Sequence, residues 1–503
     1  MEFREFFLKH YVKIFLFLII LLQFLQLSYW INTHDINPAF DEAWHLSNAL
    51  YYQRLFSDSH IPSSELASHY PIFGYAFNYY NHPNLFYFIS SLFNLEYPDI
   101  LYVNIIFLIL LILGVYGIGF YLFDKDVGLF AAFLISVFPL TLGLSRNYLL
   151  DLPLASILVL DIYLLLKSVY FSDKKYSLLF LLFFIIGIIF KRSFLIFILP
   201  ILLYYLVKYF KNNNNKPNKK FIVLSILTFI FIINYNFWNL LEALNRLYNF
   251  SLENNLLYFN LLISELSLFI FVILLVACIL CLKNQVRCKM ILFMSLPILI
   301  FYLLGVWFES RYSLPYFYVF ALIISKGFFS IKNNFLRRLL IIIIILISLL
   351  QFSAISYEID MHQKFFKIGS DSFAILKKDL SGVYFSSSEK GKDRIDIPKI
   401  LNIINSSVID SSRICIIAHS TQLNDINLPF YAIYYNYNFD YMLGEGCNPL
   451  NYDFTIYKSI NKKASSRIPS FLNAEKILLN NSNKFELIGN LSNSEFVYKR
   501  KAL

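Results

Sequence analysis

Apolar runs of about twenty residues recur from the N-terminus to about residue 356, separated by short polar stretches. A helix rises about 1.5 Å per residue, so a run of that length crosses the roughly 30 Å hydrocarbon core of a bilayer. The pattern predicts about eleven spans, near 11–31, 100–123, 128–145, 152–170, 176–190, 194–210, 221–238, 262–282, 290–308, 313–331 and 338–356. The first run, Tyr11 to Trp30, is longer than the apolar part of a secretory signal and is followed by no small-residue cleavage site, so it reads as a span. An amphipathic stretch, Asn84 to Phe93, reads as a helix lying along the interface before the second span.

Beyond residue 356 polar residues return and short β-like runs appear at Arg413–Ala418, Phe430–Tyr437 and Tyr452–Tyr457. A final pair, Phe485–Gly489 and Glu495–Lys499, flanks Asn490-Leu-Ser-Asn-Ser494, which reads as a hairpin turn. Phe373–Asp379 reads as a helix. The expected architecture is a polytopic α-helical membrane domain over 1–356, whose first outer loop is 32–99, followed by a mixed α/β domain over 357–503. About 150 residues suffice for an independent core.

Composition agrees: 58% of the 503 residues are hydrophobic and 15% charged, against about 25% charged in soluble domains. The net charge of +10 would suggest nucleic acid in a soluble protein, but here the basic residues sit in short loops between apolar runs. With the N-terminus inside, inner loops hold 18 Lys and Arg and outer loops before residue 356 hold 6. This bias places the N-terminus in the cytoplasm and, after an odd number of spans, the C-terminal region outside. Cys278 and Cys281 have CxxC spacing at the inner end of a span, where packing is a plainer reading than zinc. Cys415 and Cys447 can pair in an oxidising compartment, or Cys415 is simply buried in its apolar strand.

Charged residues pinned to the outer ends of spans are costly there and are functional candidates. The first outer loop opens with Asn37-Pro-Ala-Phe-Asp-Glu-Ala-Trp-His45. Asp41 and Glu42 read either as a solvated pair or, among Phe40, Trp44, Tyr51 and Tyr52, as a carboxylate with a raised pKa acting as a base. The loop ends in Tyr79-Tyr-Asn-His-Pro-Asn-Leu-Phe-Tyr87. His82 there is structural, or favours an anion near a helix N-terminus. Arg146 and Asp151, in a very short outer loop, either pair with each other or hold a phosphate and an acceptor. Lys191 and Arg192 stand against the positive-inside bias, as does Arg311 beside Glu309, and an anionic lipid phosphate accounts for them. Cations with nearby carboxylates, drawn from separate loops on one side, suit phosphate recognition together with base catalysis.

The order of these motifs resembles the GT-C superfamily of membrane glycosyltransferases, specifically the glycosyltransferase family 39 group. The resemblance rests on Asp41-Glu42, His82-Pro83-Asn84-Leu85-Phe86-Tyr87, Arg146 with Asp151-Leu-Pro, Lys191 after a span containing Gly187, and Arg311-Tyr312-x-x-Pro315, over roughly residues 30–330. Asn84 replaces a second proline, and Arg192 stands where a small residue is usual. The resemblance implies a polyprenyl-phosphate-sugar donor used at the outer face of a bacterial inner or plasma membrane. The transferred hexosyl or pentosyl unit would go to a lipid, glycan or protein acceptor. Asp41 would be the base of an inverting displacement, oriented by Glu42. Lys191, Arg146 and Arg311 would hold the phosphate, with His82 and Arg192 beside them, while Asp151 and Tyr312 would position substrate. The scheme requires no divalent cation and names no metal ligand, although some GT-C enzymes use a metal. Membrane lipids are expected partners and nucleic acid is not. Two other readings stand beside it: a polysaccharide polymerase or ligase of the same superfamily, and a transporter or flippase of lipid-linked sugar. The second is disfavoured because the chain shows no internal repeat and its key charges lie at span ends.

Overall fold

The computed structural model describes residues 2–34, 38, 40–56, 85–93, 96–191, 193–211, 262–263, 265–282, 310–359, 362, 364–368, 371–378, 397–407, 412–417, 431, 439–442, 447–458, 468–492 and 495–501. The chain divides into two compact units. One comprises Met1–His34, Ala76–Phe86 and Leu95–Ser388, the other Asp35–Tyr75, Tyr87–Asn94 and Glu389–Leu503.

The first unit is a bundle of apolar helices. It contains α1 (Glu2–Thr33), and after α2 (Phe40–Phe56) and α3 (Leu85–Ser91), α4 (Val103–Leu122), α5 (Lys125–Val137) and α6 (Pro139–Ser145). It continues with α7 (Asp151–Lys167), α8 (Lys174–Phe190), α9 (Phe194–Lys211), α10 (Leu268–Leu282), α11 (Leu314–Phe329) and α12 (Asn334–Tyr357). Side-chain caps begin several of them. Asp124 accepts from the amides of Asp126 and Val127 at α5, Asp173 from Lys175 and Tyr176 at α8, and Asn333 from Phe335 and Leu336 at α12. Among the described residues four helices are long and apolar enough to cross a membrane: His10–Thr33, Asp99–Leu122, Arg311–Phe329 and Asn334–Tyr357. The run expected to cross at 128–145 is broken, with α5 and α6 meeting at 60°. Pro139 forces Phe138 out of helical geometry, to φ −64° and ψ 135°. The expected spans at 221–238 and 290–308 lie outside the described residues.

Helix α7 is buried along nearly its whole length and packs against α4, α8, α9 and α11. By contrast α12 leaves Leu346 and Leu350 exposed, as suits a helix whose outer side meets lipid. The close approach of α4 and α5 depends on paired glycines. A Cβ added to Gly119 would lie 2.6 Å from Gly128 Cα, so Gly119→Val is expected to destabilise the bundle by about 1–3 kcal/mol through overpacking. A lowered denaturation midpoint in detergent, measured against Ile118→Val, would register it.

The bundle segregates its polar groups. One end carries Gln26, Arg146, Asp151, Lys191, Arg311 and the Ile355 carbonyl, linked by the contacts given below. At the other, Tyr11 donates to Asp126 and Lys167 lies near the rings of Tyr121, Tyr163 and Tyr176. After α12 the chain forms a hairpin of β1 (Phe365–Ile368) and β2 (Asp371–Ala374), with Phe366 opposite Phe373. The helix expected at Phe373–Asp379 is therefore incorrect at its start. A short apolar run does not distinguish helix from strand by itself, and cross-strand pairing decides it here.

The second unit contains a five-stranded sheet in the order β4-β3-β5-β7-β6: β3 (Ser412–Ile417), β4 (Phe439–Met442), β5 (Phe454–Lys458), β6 (Phe485–Ser492) and β7 (Glu495–Arg500). β3 pairs parallel with β4 and β5, whereas β5–β7 and β7–β6 are antiparallel. Alternation along β3 serves two cores. Ile414 and Ile416 meet Ile397, Ile400, Leu401 and Ile404 of α13 (Ile397–Ser406). Cys415 and Ile417 meet Ala474 and Leu478 of α14 (Ile468–Asn480). Cys415 is both buried and disulfide-linked to Cys447, with Cα atoms 5.7 Å apart. The run expected at Phe430–Tyr437 lies outside the described residues apart from Tyr431.

Candidate active site

At one end of the bundle three helix termini bring charged side chains together. Asp151 is the first residue of α7 and is 1% exposed. Lys191 caps the C-terminus of α8 in an extended conformation. Its turn into α9 needs Gly187, because a Cβ there would lie 2.5 Å from the ring of Phe194. Arg311 lies in the 3-10 turn Ser310–Ser313 that leads into α11, whose early Pro315 suits a helix start. Lys191 Nζ donates to Asp151 Oδ1 at 2.6 Å, and Arg311 Nε lies 3.8 Å from Asp151 Oδ2. Tyr312 serves both cations. Its hydroxyl accepts from Arg311 Nη2 at 3.2 Å, and its ring centroid is 4.8 Å from Lys191 Nζ. Lys191 and Arg311 are 8% and 5% exposed, so water screens the group little. Two buried cations held around a carboxylate form an arrangement able to recognise an anionic phosphate.

Arg146 is held elsewhere at the same end. Its Nε and Nη2 donate to Gln26 Oε1 at 3.2 and 3.1 Å, and Nη1 to the Ile355 carbonyl at 3.3 Å. Its Cζ lies 4.5 Å from the Trp30 ring. Burial pushes its pKa down to about 9, which leaves it charged at neutral pH. Arg146 thus joins α1 to α12, and Asp151 pairs with Lys191 and Arg311 in its place.

Two residues not singled out in the sequence support the cluster. Asn104 Nδ2 donates to the Ser145 and Asn147 carbonyls at 3.0 and 2.9 Å, fixing the segment that leads to Asp151. Glu265 is fully buried and accepts from Ser313 Oγ at 2.6 Å, bracing the turn that carries Arg311. A carboxylate inside the expected 262–282 span was the available signal.

The acidic motif belongs to the second unit. Asp41 and Glu42 lie in the first turn of α2, where the helix dipole favours carboxylates. Glu42 is buried and Asp41 half-buried. One turn on, His45 Nδ1 is 2.5 Å from the hydroxyl of Tyr87 on α3, and Trp44 meets the same ring edge-on at 6.5 Å. The first outer-loop motif and the end of the second therefore meet through His45 and Tyr87. His82 and Arg192 lie outside the described residues. Among the described residues no group of three or more His, Cys, Asp or Glu side chains is placed to hold a metal ion.

Residues 82–238 match the family described as dolichyl-phosphate-mannose-protein mannosyltransferase, and this stretch includes Arg146, Asp151 and Lys191. Together with the fold, the match makes the resemblance to GT-C membrane glycosyltransferases plain. Among solved structures, ArnT from Cupriavidus metallidurans bound to undecaprenyl phosphate superposes with a TM-score of 0.59 at 11% identity, over 98% of this chain and 98% of that one. The apo oligosaccharyltransferase of Archaeoglobus fulgidus gives 0.55 at 11% identity, over 90% of this chain and 70% of that one. AglB from the same archaeon, in complex with an inhibitory peptide and a dolichol-phosphate, gives 0.47 at 14% identity over 68% of this chain. There the chain spans about half of its counterpart, 54%. By sequence, no curated protein matches.

Proposed function

We propose that this chain is an inverting glycosyltransferase that moves a hexosyl or pentosyl unit from a polyprenyl-phosphate carrier to a lipid, glycan or protein acceptor. In this reading it crosses a bacterial inner or plasma membrane about eleven times with its N-terminus in the cytoplasm. Residues 357–503 form an extracytoplasmic α/β domain, and the reaction takes place at the outer face. The observation that carries the proposal is the cluster in which the buried Lys191 and Arg311 gather around the buried Asp151, with Tyr312 beside both cations. A polyprenyl phosphosugar is a phosphodiester with one negative charge, and ArnT, which shares the fold, was solved with undecaprenyl phosphate bound.

Asp41 takes the proton from the acceptor hydroxyl or amine as that atom bonds to the anomeric carbon. The bond from that carbon to the phosphate oxygen breaks, and polyprenyl phosphate leaves with the electron pair and a second negative charge. Lys191 and Arg311 stabilise this developing charge, so no strong general acid is needed. Asp151 and Tyr312 hold the two cations in register, and Glu42 orients Asp41. Arg146 shapes the same end of the bundle, and His82 and Arg192 remain secondary phosphate contacts in the scheme.

Purified protein supplied with polyprenyl-phosphate sugar and membrane acceptors should yield a product of inverted anomeric configuration. Transfer of an intact oligosaccharide from a pyrophosphate carrier would instead identify a polymerase or ligase, and lipid movement without covalent transfer a flippase. Arg311→Ala is expected to weaken donor binding about 10- to 100-fold, the range for a hydrogen bond to a charged group. Unchanged donor affinity in a titration would remove Arg311 from the site.

A further inference from the structure

The β1–β2 hairpin is tied to the bundle by two hydrogen bonds made by the residues that follow it. Phe269 N, at the start of α10, donates to the Ile375 carbonyl at 3.1 Å, and Lys377 N donates to Gln351 Oε1 at 3.1 Å. Gln351 lies six residues before the end of α12 at Tyr357, which is about 9 Å back along the helix axis. At that level α12 still presents Leu350 and Leu346 outward, 48% and 60% exposed. The chain has left the last span and then returned to a depth where the outside of the bundle is still apolar.

The hairpin itself exposes large apolar side chains. Phe365 and Phe366 are 57% and 54% exposed, and Ile359 and Ile375 flank them, also exposed. Lys364 and Lys367 are interspersed and exposed as well. Facing water, these side chains would leave large apolar surface exposed on both faces of the hairpin. Aromatic rings beside lysines, at the end of a membrane span, have the chemistry of the interface between headgroups and acyl chains. There rings enter the apolar boundary and ammonium groups reach lipid phosphates.

We infer that the β1–β2 hairpin is an interfacial anchor, with Phe365 and Phe366 seated in the phospholipid leaflet at the active-site end of the bundle and Lys364 and Lys367 on its phosphates. Successive residues leave opposite faces of a strand, so both rings reach the same depth when the small sheet stands upright in the interface. The hydrogen bond that ties Lys377 to Gln351 of α12, next to the outward Leu350, selects a leaflet as the occupant. The lysines give it a preference for anionic headgroups. This anchoring is independent of the reaction assigned to the site.

The test uses the full chain in phospholipid vesicles, with benzoylphenylalanine replacing Phe365 or Phe366 and, as a lipid-facing reference, Leu350. After irradiation, mass spectrometry of the peptides should show phospholipid adducts at 365 and 366 in yields comparable to that at 350. Adducts at 350 with none at 365 and 366 would overturn the anchor, and so would crosslinks from 365 or 366 to another protein chain. A second variant addresses charge. Lys364→Glu with Lys367→Glu should lower the adduct yield at Phe366 in vesicles containing anionic lipid, and an unchanged yield there would refute the headgroup preference.

Discussion

Asp41→Asn is expected to slow sugar transfer by about 10²- to 10⁴-fold, the usual contribution of a positioned general base. The amide keeps the shape of the carboxylate but cannot accept the acceptor's proton, so the loss should fall on kcat. Donor binding rests on Lys191 and Arg311 in the proposal, so donor affinity should stay near that of the parent. The fold should also survive. Asp41 is half-buried in the first turn of α2, where a carboxylate's interaction with the helix dipole is worth about 0.3–1 kcal/mol. Single-turnover kinetics with labelled donor, alongside a thermal denaturation curve, separate these quantities. Glu42→Gln provides the comparison, because Glu42 is the more buried of the pair and is assigned an orienting role. Normal turnover in Asp41→Asn would exclude it as the base, and a loss confined to Glu42→Gln would move the role one residue along.

The parts of the fold legible in the sequence were those set by one-dimensional periodicity. β3, β5, β6 and β7 overlap the runs where alternation places them, although β6 continues through Asn490–Ser492, the first part of the expected turn. Ile397, Ile400, Leu401 and Ile404 of α13 also follow helical spacing, although polar neighbours blur the pattern. Pro139 was visible too. Run length suggested an unbroken span, and the restriction that proline places on Phe138 is what bends it.

At the site, Lys191 and Arg311 stand out in the sequence as cations against the expected charge bias, and the structure gathers both around Asp151. Arg146 stands out on the same ground. Its partners are the Gln26 amide about two turns before the end of α1 and a main-chain carbonyl near the end of α12, and no sequence pattern marks a carbonyl left available by a helix end. Asn104 carries no such mark, since it lies beside an apolar run and acts through main-chain carbonyls, whereas the carboxylate of Glu265 stands out within its expected span.

Lys191→Met is expected to cost on the order of 3 kcal/mol of stability, because it leaves Asp151 buried without its closest cation. Arg311, 3.8 Å from the other carboxylate oxygen, keeps the loss at the lower end of the usual range. Asp151→Asn errs the other way, leaving Lys191 and Arg311 together with no carboxylate between them. The double variant Lys191→Met with Asp151→Asn removes one charge of each sign and so leaves the net charge of the site unchanged. Replacing both members of a buried pair is often close to neutral, so its denaturation midpoint should return most of the way to the parent. Transfer activity should not return, because the phosphate would then meet Arg311 alone. Recovery of both stability and turnover would make the Lys191–Asp151 pair a packing device. Recovery of stability alone separates what the ammonium does for the fold from what it does for the departing phosphate.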